Sequence, residues 1–236
     1  MRNNNYPLVS IITITYNAIE VLEKTIESVI NQSYPNVEYI IIDGGSTDGT
    51  VDTIQQYQDQ ISYWISEPDK GIYDAMNKGL KKASGEWVNF MNAGDYFYDS
   101  FVIDSVFSLD WYNYDIICGR KEGEKIDRRK ATRWNLYKSM GICHQVIFSR
   151  LKFLKNGFNL EYKISADFDW LLKAYYNRAR IKMVDIVVVI YQGGGISESN
   201  AILLQKEFYE ILKVYYPRWS AELRRLVWCL RASINF

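Results

Sequence analysis

Several carboxylates stand out by where they fall relative to apolar runs. Residues 86–95 read Glu-Trp-Val-Asn-Phe-Met-Asn-Ala-Gly-Asp, a short apolar run bounded by Gly85 and by Asn92-Ala93-Gly94. That pattern suits a buried strand that delivers Asp95 to a sheet edge. Open α/β sheets meet their ligands at the carboxyl ends of strands, so a nucleotide or a metal belongs here. Residues 37–43 form another apolar run, leading into Asp43-Gly44-Gly45-Ser46-Thr47-Asp48-Gly49-Thr50. The adjacent glycines let the backbone approach a ligand closely, and Asp43 is placed to accept hydrogen bonds from a base or a ribose hydroxyl. An ordinary strand-to-helix turn is the alternative, since neither the P-loop nor the dinucleotide glycine spacing is present. Lys70, Tyr73, Asp74 and Asn77 fall in the first turns of a helix expected over 72–82. The positive end of its dipole favours a diphosphate; a solvated helix start is the plainer reading. In Ser165-Ala166-Asp167-Phe168-Asp169, the two acids are two residues apart and diverge on a helix. Ser165 or Asp167 could equally serve only as an N-cap.

An alternation of strands and helices must hold these groups. Residues 8–15 are rich in β-branched side chains and read as a central strand. Asn17 and Glu20 have capping-box spacing, and Val21, Leu22, Ile26, Val29 and Ile30 recur at helical intervals until 31–35 break the run. Strands over 37–43 and 62–66 and helices over 51–57 and 72–82 follow, and the strand-helix-strand units imply parallel pairing with right-handed crossovers. Further strands are expected at 115–119 and 181–190, and a helix at 167–176. Residues 121–133 are densely charged, a solvated loop or a basic cover over a ligand. Gly193-Gly194-Gly195 make a second such loop or a simple turn. A helix over 200–216 ends at Pro217, and a last one sets Leu223, Leu226, Val227, Leu230 and Ile234 on one face beside Arg224, Arg225 and Arg231. That face rests on a membrane surface, or docks on the protein's own core or on a second subunit of a homodimer.

Composition narrows the function classes. With 236 residues, 48% of them hydrophobic, the chain can bury a full core. Lys+Arg and Asp+Glu both number 28, so no basic excess points to a nucleic-acid partner. The 15% aromatic content exceeds what a core needs and suits a cleft for sugars or rings, or else a core filled with large aromatics. The three cysteines lack paired spacing, as expected of reduced thiols in a cytoplasmic protein. No export signal and no apolar run of roughly 18 residues is visible, which predicts a protein free in the cytoplasm or resting on the inner face of the cell membrane.

Taken together, Pro7-Leu8-Val9-Ser10-Ile11-Ile12-Thr13-Ile14-Thr15-Tyr16-Asn17, Ile42-Asp43-Gly44-Gly45-Ser46-Thr47-Asp48-Gly49-Thr50, residues 69–79 and Asn92-Ala93-Gly94-Asp95 resemble the successive signatures of the family 2 glycosyltransferases. The likeness is to the branch that builds bacterial O-antigen, capsule and exopolysaccharide. It implies an α/β GT-A fold: a Rossmann-like, mostly parallel central sheet with flanking helices and a C-terminal helical extension. Residues 1–100 would form the nucleotide-sugar-binding half and 101–198 the acceptor-binding half of one domain, with 199–236 as the extension. The activity implied is inverting transfer from a nucleotide-sugar donor, UDP-linked, to a lipid-linked saccharide acceptor. By the same resemblance Thr15, Tyr16, Asn17 and Asp43 surround the nucleoside, and Lys70 and Asn77 lie near the diphosphate. Asp95 ligates a divalent Mn2+ or Mg2+, His144 and Gln145 line the cleft, and Asp167 is the catalytic base. This chain departs from the pattern at Gly44, where a second acid is usual, and at Asn92 and Gly94, which leave Asp95 as the sole carboxylate of its cluster. Asn92 then reaches for the ribose in place of an acid. Two other readings are a sugar-binding or nucleotide-binding subunit that has lost catalysis, and a sugar nucleotidyltransferase, disfavoured by the absence of a basic Gly-rich triphosphate loop.

Overall fold

The computed structural model describes residues 6–126, 142–193 and 200–234. One sheet of eight strands runs through the molecule, in the spatial order 63–66, 37–43, 9–15, 87–90, 147–150, 116–121, 181–190, 96–97. Its first part is parallel. β1 (Val9–Thr15) lies between β2 (Val37–Asp43) and β4 (Trp87–Phe90), and β3 (Tyr63–Ser66) adds to the far side of β2. All seven residues of β1 are buried, as its unbroken β-branched run requires of a strand covered on both faces. Thr15 pairs with Asp43 and Asp43 with Ser66, so three strands end at one level and present their last residues along one rim.

The helices between them follow from apolar spacing. In α1 (Ile19–Ile30) the buried residues are Leu22, Thr25, Ile26 and Val29, one face of a 3.6-residue repeat. A seven-residue α2 (Thr50–Gln56) follows the glycine-rich turn, and α3 (Ile72–Lys82) buries Tyr73, Ala75, Met76, Gly79 and Leu80. Gly79 lets α3 lie directly on the sheet, since a Cβ there would sit 2.5 Å from Ile12 Cγ2. The capping box expected of Asn17 and Glu20 does not form. Asn17 adopts a φ of 46° and its Oδ1 accepts the Thr47 N–H, while Asp48 Oδ2 accepts the Ile19 N–H at the start of α1.

Beyond β4 the sheet changes direction. β7 (Ile147–Arg150) is antiparallel to both β4 and β6 (Ile116–Lys121), β8 (Ile181–Ile190) runs parallel to β6, and the two-residue β5 (Tyr96–Phe97) closes the edge antiparallel to β8. Residues 96–107, aromatic and apolar in sequence, thus split into β5 and the short α4 (Val102–Phe107). Trp87, fully buried, meets the rings of Phe107 and Trp111 edge-on at 5.4 and 6.5 Å, which fastens this edge to the core. Each such fully buried large side chain contributes roughly 1.5–3 kcal/mol of transfer free energy.

Three helices complete the molecule. In α5 (Ala166–Tyr176) Phe168 packs on Phe208 of α6 (Ala201–Tyr215) at 4.6 Å between ring centres. After Pro217 comes α7 (Arg218–Ile234), which buries Ser220 and Ala221 but leaves Leu223, Leu226 and Leu230 exposed. The apolar face of this last helix is therefore not docked on the described core. Among the described residues no helix is long and apolar enough to cross a membrane. The expected domain boundary at 198, most of the charged stretch 121–133 and Gly194 and Gly195 lie outside the described residues.

Candidate active site

The parallel strands β1, β2 and β4 deliver their carboxyl ends to one rim, and the hollow beside it collects most of the chemistry. Backbone bonds from Met91 and Ala93 to Ile12 and Ile14 continue the β1–β4 pairing past β4, so residues 92–95 run along the end of β1. Gly94 turns the chain with a φ of 97°, a conformation that a β-carbon opposes, which is a local reason for glycine where the resemblance expects aspartate. Thr25 of α1 staples this turn: its hydroxyl donates to the Asp95 carbonyl at 2.8 Å and accepts the Gly94 N–H at 3.0 Å.

A cavity of about 750 Å³ opens here, and its lining includes Asn92, Asp95, His144, Gln145, Asp167 and Tyr73. Asp95 is buried. Its Oδ2 accepts from Gln145 Nε2 at 2.6 Å and its Oδ1 from the Gln192 N–H at 3.2 Å. Burial raises its pKa above the ordinary aspartate value, against the lowering effect of those two donors. Asp167, in the first turn of α5, is 8% exposed. Its Oδ1 accepts from Tyr73 Oη and from the Phe168 N–H, both at 2.9 Å, and its Oδ2 lies 3.1 Å from His144 Nδ1. Tyr73 is held protonated, its pKa raised well above the usual value by burial and then by the charge of Asp167. His144 Nε2 lies 2.9 Å from Asn92 Nδ2, so a chain of contacts runs Tyr73, Asp167, His144, Asn92.

The expected site residues separate into groups. Asn92, Asp95, His144, Gln145 and Asp167 share the cavity. Asp169 does not: it accepts from Tyr215 Oη at 2.9 Å and lines a different hollow together with Trp170 and Asn177. Thr15, Tyr16, Asn17 and Asp43 gather at the rim of β1 and β2. There Asp43 is fully buried, its Oδ2 accepting from the Gly45 and Ser46 N–H groups and from Ser66 Oγ, its Oδ1 from Ser46 Oγ. Tyr16 is 65% exposed, and Thr15 Oγ1 is buried without a partner among the described residues. Asn77 stands apart, its amide spent on the N–H and carbonyl of Phe158 at 2.7 and 2.9 Å. Lys70 is exposed and only its N–H is engaged, by Asp74 at 3.0 Å. Cys143 also lines the cavity, but burial pushes its thiol to about 12, which keeps it protonated and unreactive.

Could this site hold a divalent cation? Among the described residues no three His, Cys, Asp or Glu side chains cluster as a complete ligand set. Asp95 is nevertheless accompanied by two buried carbonyl oxygens with no partner, Asn92 Oδ1 and Gln145 Oε1. A carboxylate and two orphaned amide oxygens suit a hard cation whose remaining ligands come from a phosphorylated substrate.

Comparison with known proteins agrees with this geometry. Residues 10–179 match the family model described as Glycosyl transferase family 2. A PGL/p-HBAD biosynthesis glycosyltransferase of Mycobacterium bovis is 31% identical over 222 residues, covering 87% of this chain and 84% of its own. Among solved structures, Staphylococcus aureus TarS 1–349 in complex with UDP-GlcNAc superposes with a TM-score of 0.72 at 22% identity over 88% of this chain. The chain spans 65% of that structure's length. The mannosyltransferase PcManGT of Pyrobaculum calidifontis, in complex with GDP-Man and Mn2+, superposes with a TM-score of 0.70 at 17% identity, covering 93% of this chain and 70% of its own. These likenesses fix the architecture as the GT-A arrangement.

Proposed function

Because the chain belongs to the family 2 glycosyltransferases, we propose that it is an inverting transferase, moving a sugar from a UDP-linked donor to a hydroxyl of a lipid-linked glycan during synthesis of a bacterial surface polysaccharide. The observation that carries this reading is that Asp95 and Asp167, 72 positions apart in the chain, line one cavity, where Gln145 donates to Asp95 and His144 stands between Asp167 and Asn92.

The chemistry divides between the two acids. The acceptor hydroxyl loses its proton to Asp167 as its oxygen bonds to the anomeric carbon, and the bond from that carbon to the diphosphate breaks with both electrons leaving on phosphate. Attack opposite the leaving group inverts the centre. Tyr73, the Phe168 N–H and His144 fix the carboxylate in place, and His144 Nδ1 must donate to it if Nε2 accepts from Asn92. A divalent cation, Mn2+ or Mg2+, held by Asp95 with Asn92 and Gln145 would neutralise charge growing on the departing diphosphate. Burial of the site strengthens each of these interactions relative to water.

The exposed Trp219, Leu223, Leu226 and Leu230 of α7, with Arg224 and Arg225 nearby, support a resting place on the inner face of the cell membrane, where a lipid-carried acceptor is met. The test is incubation with a panel of UDP-sugars and Mn2+, with and without a lipid-linked acceptor. Acceptor-dependent release of UDP supports the transferase. Release of pyrophosphate from a sugar phosphate and nucleoside triphosphate would instead mark a nucleotidyltransferase, and binding without turnover a subunit that has lost catalysis.

A further inference from the structure

The first turn of α5 carries the proposed base, yet it lacks the side chain that usually fixes a helix start. Ser165 stands at the N-cap, but its hydroxyl is buried with no partner among the described residues, and only its carbonyl is used, by the Phe168 and Asp169 N–H groups. The chain just ahead is held from α6 instead. Glu207, 6% exposed, accepts the Lys163 N–H at 2.6 Å on Oε1 and the Ile164 N–H at 3.1 Å on Oε2. Among the described residues it forms no ion pair, so this buried carboxylate is committed to two consecutive backbone donors.

Two further contacts join the same helices. Phe208, next to Glu207, packs on Phe168, and Tyr215 Oη donates to Asp169 Oδ1 at 2.9 Å. Lys163, Ile164, Leu204 and Phe208 line the cavity that holds Asp167. The residues on either side of Asp167 are thus fixed by a helix that lies beyond the family match, which ends at residue 179. Two N–H groups meeting two carboxylate oxygens make a charge-assisted clamp, whereas glutamine at 207 would offer one acceptor and turn its NH2 toward the other donor.

We propose that Glu207 is a positioning residue for sugar transfer: by clamping residues 163–164 it sets where Asp167 enters the cavity. This inference rests on the reading of Asp167 as the base and adds to it a residue outside the family match. Glu207 acts through the start of α5 and on no reacting atom. Displacing a catalytic group by about 1 Å costs roughly 100-fold in rate, so a clamp on the preceding residues has a large lever.

The test reads release of UDP from UDP-glucose, UDP-galactose or UDP-N-acetylglucosamine with Mn2+ and an alkyl glucoside acceptor, per folded molecule counted by UDP calorimetry. Glu207→Gln should lower kcat about 3- to 10-fold and Glu207→Ala about 10- to 100-fold, with donor KM within about twofold of wild type. In an Asp167→Asn background either change should cost less than about twofold more, because no base is left to aim. A purely structural role predicts the same loss in both backgrounds. Should Glu207→Ala fail to fold, Glu207→Gln and its double variant carry the test. Equal losses in the two backgrounds, a raised donor KM with unchanged kcat, or wild-type rates in the Glu207 variants overturn the assignment and leave the transferase reading standing. A wild type that releases no UDP overturns both.

Discussion

His144 lies with Nδ1 3.1 Å from Asp167 Oδ2, and its other ring nitrogen lies 2.9 Å from the Asn92 amide, two residues from the end of β4. One imidazole therefore spans the distance between the proposed base and the turn that carries Asp95. His144→Ala removes the donor that aims Asp167 and frees the Asn92 side chain. The expected result is a kcat lowered about 10- to 100-fold with a donor KM close to that of wild type, because a misaimed base costs rate and not donor affinity. A rise in donor KM with unchanged kcat would move His144 to the binding side of the site.

Asp167→Asn keeps the volume of the side chain and its ability to accept one hydrogen bond but cannot take a proton at neutral pH. Transfer should fall roughly 10²- to 10⁴-fold while UDP binding persists. Asp169→Asn is the matched control, since that acid faces Tyr215 and a separate hollow. Activity within a few-fold of wild type is expected there. The reverse ranking of these two variants would exchange their roles.

In α5 two acids two positions apart must diverge on a helix, and the sequence motif resembling a family signature indicated which of the two faces the cleft. The β-branched run of β1, the bounds of α3 and β8, and the stop of α6 before Pro217 were equally plain, because each rests on local periodicity or a local breaker. The antiparallel turnover of the sheet at β7 and the two-residue β5 were not, since pairing partners far apart in sequence leave no local trace. The same holds for side chains. Nothing near Gln145 announces that its amide reaches Asp95, 50 residues away. Asn77 has the right helix for a phosphate contact, but Phe158 takes its amide.

The raised pKa of Asp95 has a sign that can be checked. Burial favours its neutral form in the folded protein, so its contribution to stability is present below the unfolded value of roughly 4 and is lost as pH rises through the higher folded value. A cation needs the ionised form. The rise in thermal midpoint produced by Mn2+ with UDP should accordingly be largest near neutral pH and shrink on acidification earlier than it would for an ordinary, unburied aspartate. In Asp95→Asn the Mn2+-dependent part of the shift should vanish at every pH. A shift that survives in that variant would place the cation elsewhere.

Gly85 precedes β4, and a Cβ on it would meet Ser10 Oγ at 2.5 Å, the Ser10 nitrogen at 2.7 Å and the Leu8 carbonyl oxygen at 2.9 Å. Two of these are backbone atoms of the β1 edge and cannot swing away. Gly85→Ala should destabilise the fold by about 1–3 kcal/mol. At roughly 2–4 °C per kcal/mol for a chain of this size, calorimetry should record a clearly lower midpoint. An unchanged midpoint would mean that β4 can shift along β1, which the continued pairing up to Ala93 argues against.

The turns at the ends of β1 and β2 are tied down by their own side chains: Asp43 to Ser46 and Ser66, Asn17 to Ser46 and Thr47, Asp48 to the starts of two helices. A molecule arriving at that rim finds loops already frozen, so little conformational freedom is left to surrender on association. Small fragments, down to a bare nucleoside, should then be captured with measurable strength before any larger ligand is assembled, and the heat they release should report contacts made and not segments folded.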